Sequence, residues 1–156
     1  MDITFRKATV EDAESISSMV LELTNEIGER TNVQHFDINP KETIERCQQL
    51  MSDGHYTAIL GFSDTTPIAV ATFTETYALY CGGKIGLIQE FYVSPTQRSL
   101  GVGEMLLNQV KEHGVQHSWS CIELCTPPLP EFAKTLSFYQ LNGLKPVGGR
   151  KMRVSL

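Results

Sequence analysis

The sequence predicts an α/β fold: one mixed central sheet of about six to seven strands flanked by four helices. Three observations predict it. Apolar residues recur at helical spacing in four separate segments. Between and after them lie short runs rich in Val, Ile, Thr, Phe and Tyr, bounded by turn chemistry. The resulting order, βααβββαβαββ, places helices between strands in the way a layered sheet needs. The 156 residues suffice for one substantial core, so 1–156 is expected to be a single domain.

Each element has a local cause. A strand spans Ile3–Arg6. Thr9, with Asp12 three residues on, resembles a capping box, and Ile16, Met19, Val20, Leu23 and Ile27 then share one helical face. Asn39-Pro40 pairs an N-cap with Pro at the first helical position and opens a helix to about Met51. His55–Phe62 and Pro67–Tyr80 read as strands about the turn Ser63–Thr66. Cys81-Gly82-Gly83-Lys84 turns the chain into a strand over Ile85–Val93. The polar loop Ser94–Leu100 leads to a helix from Gly101 to about Gln116, with Val102, Met105, Leu106 and Val110 as its stripe. A strand over Trp119–Thr126 follows, then a helix over Pro130–Asn142 ended by Gly143. Leu144–Val147 and Lys151–Val154 are expected to close the sheet about Gly148-Gly149.

Composition narrows the function classes. A net charge of −5 disfavours general nucleic-acid binding, which needs a basic stripe, and suits a cationic partner such as an amine. No apolar run approaches the roughly 20 residues that span a bilayer, and the N-terminus lacks a signal peptide's apolar stretch, so a cytoplasmic protein is expected. Cys47, Cys81, Cys121 and Cys125 form no CxxC pair and have no His at zinc spacing. They read as buried, reduced thiols, with Cys121 and Cys125 on one face of a strand and no metal site.

The stretch Arg98-Ser99-Leu100-Gly101-Val102-Gly103 joins a strand to a helix. Glycines there let the backbone turn sharply, and the helix start supplies unpaired N–H groups and a positive dipole end. Together they make an anion site to which Arg98 adds one charge-assisted contact. A Rossmann fingerprint fits worse, because Leu106 stands where its third glycine belongs. A Walker loop fits worse too, because Gly103 precedes Glu104.

Ile88-Gln89-Glu90-Phe91-Tyr92-Val93-Ser94-Pro95, followed by Arg98-x-x-Gly101-x-Gly103 and Leu106-Leu107, resembles the cofactor motif of the GNAT superfamily of N-acetyltransferases. Downstream, Phe138-Tyr139 with Gly143-Leu144 is similar to the family's Phe-Tyr-x-x-x-Gly-Phe segment. The resemblance implies acetyl-CoA as co-substrate, its pantetheine arm entering a V between the fourth and fifth strands. It assigns the cofactor to Phe91, Tyr92, Val93, Arg98, Ser99, Leu100, Gly101, Val102, Gly103 and Glu104. The N–H of Tyr92 or Val93 would polarise the thioester carbonyl. Tyr139 takes the family's position for the acid that protonates the departing thiolate.

Glu90 is the candidate base. It is expected to alternate with Ile88 and Tyr92 on one face, with Gln89 on the other, and an acidic residue on an apolar strand is costly unless paired. It would take the amine proton, directly or through water, or would bind the ammonium. The family's acceptor pocket maps to Glu22–Gln34, Glu75–Lys84 and Gly148–Arg153, where Glu75, Tyr77 and Tyr80, with Glu90, would surround a small cation. The look is nearest to aminoalkylphosphonate and diamine acetyltransferases, and Arg150, Lys151 and Arg153 would anchor a phosphonate or form a solvated strand. An Asn that many members use on the cofactor arm is replaced by Phe132. The function expected is acetyl transfer to a primary amine of a small molecule. The alternatives are a protein or peptide N-acetyltransferase and a non-catalytic acyl-CoA sensor. The family's habit of dimerising suggests a homodimer.

Overall fold

The computed structural model describes residues 2–34 and 38–156. The chain forms two compact units, Met1–Cys125 and Thr126–Leu156. The first holds a five-stranded sheet in the order β1-β2-β3-β4-β5. Its strands are β1 (Ile3–Lys7), β2 (Thr57–Ser63), β3 (Thr66–Ala78), β4 (Gly83–Val93) and β5 (Ile122–Leu124). Neighbours run antiparallel except β4 and β5, which are parallel. The helices of this unit are α1 (Ala13–Thr31), α2 (Pro40–Ser52) and α3 (Val102–Gln116). The second unit carries α4 (Ala133–Leu141). The α/β class and the mixed sheet are as the sequence predicts.

The helix starts follow their local chemistry. Thr9 N–H donates to Asp12 Oδ2 at 2.8 Å and Asp12 N–H to the Thr9 carbonyl at 2.9 Å, closing a single 3-10 turn before α1. Asn39 caps α2 by accepting from Glu42 N–H at 3.1 Å, with Pro40 at the first helical position.

Strand alternation assigns the faces of the sheet. Ala58, Leu60, Val70 and Tyr92 pack with Ala8, Ala13, Ile16, Met19 and Cys47 in the core under α1 and α2. The opposite face meets α3, where Phe73 lies 4.9 Å from the His113 ring and 5.4 Å from the Trp119 ring. Trp119 needs two glycines: a Cβ added at Gly86 would come within 2.2 Å of its ring, and one at Gly114 within 2.5 Å.

Several expectations are corrected. The closing strands Leu144–Val147 and Lys151–Val154 do not form; residues 144–156 have no regular structure. Leu144 is partly buried, but Val147, Met152 and Val154 are at least 80% exposed, so neither ladder bonds nor burial offset the cost of ordering a strand. The strand expected over Trp119–Thr126 shrinks to Ile122–Leu124. Trp119 N–H donates instead to the Gly114 carbonyl, and Pro127-Pro128 follows close behind. Cys121 and Cys125 therefore flank β5 rather than share its face, and only Cys47 is buried; all four are free thiols.

β4 contains a bulge. Phe73 pairs with Ile88 and Thr72 with Glu90, leaving Gln89 as the extra residue. Because Thr72 and Phe73 face opposite sides, Glu90 and Ile88 do too. Glu90 and Tyr92 share the α1/α2 face without Ile88. Gln89 also turns to this face, its amide donating to Thr74 Oγ1 at 3.3 Å, rather than to the opposite one.

Candidate active site

Beyond Val93 the chain enters the expected anion turn. Ser94 N–H donates to the Ile68 carbonyl at 2.8 Å, and Pro95–Gln97 make one 3-10 turn. Ser99 and Gly101 both take left-handed backbone, with φ of 63° and 84°. At Gly101 a Cβ would touch nothing, so the residue is required by conformation and not by crowding. The first bond inside α3 runs from Met105 N–H to the Gly101 carbonyl at 3.1 Å, and Gly101 gives the helix no side-chain cap. The N–H groups of Val102, Gly103 and Glu104 precede that bond, at the positive end of a four-turn helix. Val102 is buried and anchors the turn, while Leu100 is exposed beside it.

The Arg98 side chain lies on α1. It bonds both oxygens of Glu26, at 2.6 and 3.0 Å, and its Nε donates to the Val93 carbonyl at 2.8 Å. The Glu26 bonds raise the guanidinium's pKa further. Burial works against the Glu26 charge, but Arg98 and then Arg30 outweigh it and hold the carboxyl below its usual range. One turn earlier on α1, Glu22 accepts from the Tyr92 hydroxyl at 2.6 Å. Burial and that bond push the Tyr92 phenol up to about 12. Two glutamates of one helix thus hold the end of β4 and the start of the turn.

The β4–β5 pairing ends at Ile88↔Leu124, whereas β4 continues to Val93. Ser94 N–H faces β3, and strand alternation gives Tyr92 the same edge, opposite Val70. Phe91 and Val93 therefore turn their backbone groups to the β5 side, beyond the last β4–β5 pair, where the Val93 carbonyl accepts from Arg98 Nε. Of the two N–H groups expected to polarise a carbonyl, that of Val93 has this direction and that of Tyr92 does not.

The bulge brings Glu90 onto a cluster of hydroxyls. Tyr56, just before β2, approaches Oε1 at 2.9 Å and Oε2 at 2.7 Å, and Thr72 Oγ1 donates to Oε2. Thr72 is fully buried, and its oxygen also accepts from Glu90 N–H at 3.1 Å, so one hydroxyl meets both the backbone and the carboxylate of Glu90. Burial and then the Glu90 charge raise the Tyr56 pKa, so the phenol keeps its proton at neutral pH. Among the described residues Glu90 forms no ion pair.

The expected cation cage does not assemble. Glu75 lies on the α3 face, opposite Glu90, because it alternates with Phe73. Its carboxylate accepts from Trp119 Nε1 at 2.7 Å and pairs with Lys84 at 3.6 Å, and these partners hold it below the usual range. Tyr77 and Tyr80 are 72% and 80% exposed, and Tyr80 reaches Glu123 at 3.3 Å. In the second unit, Tyr139 is buried on α4 with its ring 5.2 Å from Phe138, and burial raises its pKa. Phe132, the N-cap of α4, is buried as well, as an apolar residue should be.

Sequence reading passes over Tyr56 and Thr72, and places Glu22 and Glu26 only within the acceptor-pocket segment Glu22–Gln34, without a role. The four-residue spacing of Glu22 and Glu26 marks one helical face. Nothing in the sequence marks a β-bulge, and without it Glu90 and Thr72 have no assigned register.

The sequence matches the profile of the acetyltransferase (GNAT) family over residues 20–143. No curated protein matches it closely enough to add a relative. Solved structures share the fold. A ribosomal-protein-alanine N-acetyltransferase from Brucella melitensis biovar Abortus 2308 aligns with TM-score 0.73 at 16% identity, over 99% of this chain and 100% of its own. A predicted acetyltransferase from Clostridium acetobutylicum, solved with acetyl-CoA, aligns with TM-score 0.73 at 16% identity, over 99% and 96%. The aminoglycoside N-acetyltransferase AAC(6')-Iy, solved with CoA, aligns with TM-score 0.80 at 14% identity, over 99% and 95%. With the family profile running from α1 through the glycine turn to the end of α4, this chain belongs to the acetyltransferase (GNAT) family and is an acetyltransferase.

Proposed function

We propose that the protein transfers the acetyl group of acetyl-CoA to a primary amine of a small molecule, with Glu90 taking the amine proton. One observation carries this reading: a half-buried carboxylate, held by two hydroxyl donors, that has no cationic partner among the described residues. Such a charge is costly to bury unpaired, and an incoming ammonium offsets that cost. Glu22, which receives the Tyr92 hydroxyl on the same face, also forms no ion pair among the described residues.

Acetyl-CoA supplies an activated acyl group. Backbone N–H groups of Val102, Gly103 and Glu104 hold its pyrophosphate, and the β5-side edge at Phe91 and Val93 takes its pantetheine amides in the manner of an added strand. Ser99, Leu100 and Gly101 shape the turn. Arg98 keeps that turn on α1 and leaves the anion to the backbone. An alkylammonium has a pKa near about 10 and no lone pair, so it must first lose a proton, which Glu90 accepts. The nitrogen then bonds the carbonyl carbon while the carbon–sulfur bond breaks and its electron pair leaves on sulfur. Tyr139, in its family position, gives its phenol proton to that thiolate, and the second proton that the nitrogen sheds as the amide forms passes through water to restore the phenol. Residues 1–156 act as one domain in this reading, supported by a family match that crosses both compact units.

Incubation with acetyl-CoA and a panel of polyamines, aminoglycosides, aminoalkylphosphonates and peptides tests the reading. Mass spectrometry is expected to show an N-acetylated small amine, with one thiol released per acetyl group. Acetylation of peptides alone would replace the small-molecule acceptor. Cofactor binding with no product on any acceptor would make the protein an acyl-CoA sensor.

A further inference from the structure

Tyr56 is not part of the acetyltransferase motif, yet its hydroxyl lies across the mouth of the Glu90 carboxylate. We infer that Tyr56 is a positioning residue for acyl transfer: with Thr72 it fixes the Glu90 carboxylate so that Oε1 is the atom presented to the acceptor amine. The inference rests on Glu90 being the base.

The lone pairs decide which oxygen is presented. An ionised carboxylate offers about four acceptor sites, two on each oxygen. Oε2 receives Thr72 Oγ1 and, at 2.7 Å, the Tyr56 hydroxyl, so both of its sites are taken. The same phenol stands 2.9 Å from Oε1 but has a single proton to give, and its shorter contact is to Oε2. Oε1 thus keeps an open site. Thr72 Oγ1 also accepts from Glu90 N–H, so the same buried hydroxyl meets both the backbone and the carboxylate of Glu90. Tyr56 remains a phenol at neutral pH, so its donation persists through the working range. Among the described residues, the titratable groups facing this carboxylate are Tyr56 before β2 and Cys47 from α2, whose thiol is pushed up by burial and by the Glu90 charge. From α1, Glu22 is engaged by Tyr92, on the strand that carries Glu90.

The test is the pH dependence of kcat/KM for the amine in Tyr56→Phe, Thr72→Val, Thr72→Ser and Glu90→Gln. A hydrogen bond to the charged form favours that form, so loss of one donor should move the acid limb upward. A bond to a charged group corresponds to about one pH unit, and that is the displacement expected in Tyr56→Phe. Acetyl-CoA KM should stay unchanged, because the cofactor turn is untouched. Thr72→Val should shift the limb in the same direction, while Thr72→Ser, which keeps the donor, should restore the wild-type profile. An acid limb unmoved in Tyr56→Phe, while Glu90→Gln abolishes that limb, overturns the role of Tyr56 and leaves Glu90 as base. An acid limb that survives in Glu90→Gln overturns the base assignment itself. Thermal melting of each variant separates these outcomes from misfolding: if Tyr56→Phe melts as wild type and its profile is unshifted, the inference is wrong.

Discussion

Glu90 illustrates how one extra residue decides chemistry. Without the bulge at Gln89, strict alternation would set Glu90 beside Ile88; with it, the carboxylate turns to Tyr56 and Thr72. As general base it is expected to contribute roughly 100-fold to kcat, the lower end of the usual range, so Glu90→Gln should lower kcat by about that factor. Steady-state rates at saturating acetyl-CoA measure it. Tyr139→Phe should lower kcat by roughly 100-fold as well, read in the same assay. Gly86 makes a stability prediction at this scale. Its missing Cβ leaves room for Trp119, so Gly86→Ala should cost about 1–3 kcal/mol by overpacking, seen as a lower urea midpoint. The residue-scale chemistry was only partly legible in sequence. Glu90 was identifiable because acid on an apolar strand is expensive, whereas Tyr56 and Thr72 are ordinary strand-forming residues whose role depends on register.

At the scale of elements, capping and periodicity made the helices readable, because those signals are local. Asn39-Pro40 opens α2, and Gly101 precedes α3 as the turn requires. The closing strands failed for the complementary reason: pairing is not local, and four-residue apolar alternation around Gly148-Gly149 does not supply a partner. The cage expected of Glu75, Tyr77 and Tyr80 with Glu90 is not assembled on one face, since Glu75 and Glu90 lie on opposite sides of the sheet. Helix α1 carries two predictions. Glu26→Gln should weaken the hold on Arg98 by about 1 kcal/mol, raising the KM for acetyl-CoA about fivefold with kcat little changed. At the start of α1, Arg6 bonds Asp12 at 2.8 and 2.9 Å and, foremost among its partners, lowers that carboxyl to about 2. A depressed carboxyl stabilises the fold above its unfolded pKa, near about 4, and the gain is lost as pH falls through the folded value. Asp12→Asn should therefore melt lower than wild type at neutral pH, and the two melting curves should converge between about pH 4 and pH 2.

At the scale of the molecule, the sheet separates two kinds of work. Its α3 face is packed with aromatic rings, and its α1/α2 face carries Glu90 and Glu22, neither in an ion pair among the described residues, beside the N-terminal turn of α3. Binding at that turn should be visible in overall stability: acetyl-CoA at about 100 times its Kd adds about 2.7 kcal/mol, a rise in Tm of roughly 5–10 °C. The family was legible from the whole sequence because two motifs stand in register along it, while the acceptor depends on side chains that only the folded sheet brings together. Amine-dependent thiol release from acetyl-CoA, followed for wild type and Glu90→Gln side by side, bears on both halves at once. Release should require the amine and should fall roughly 100-fold in the variant while acetyl-CoA affinity holds. Release that ignores the amine, or that proceeds equally fast without the Glu90 carboxylate, would contradict the account.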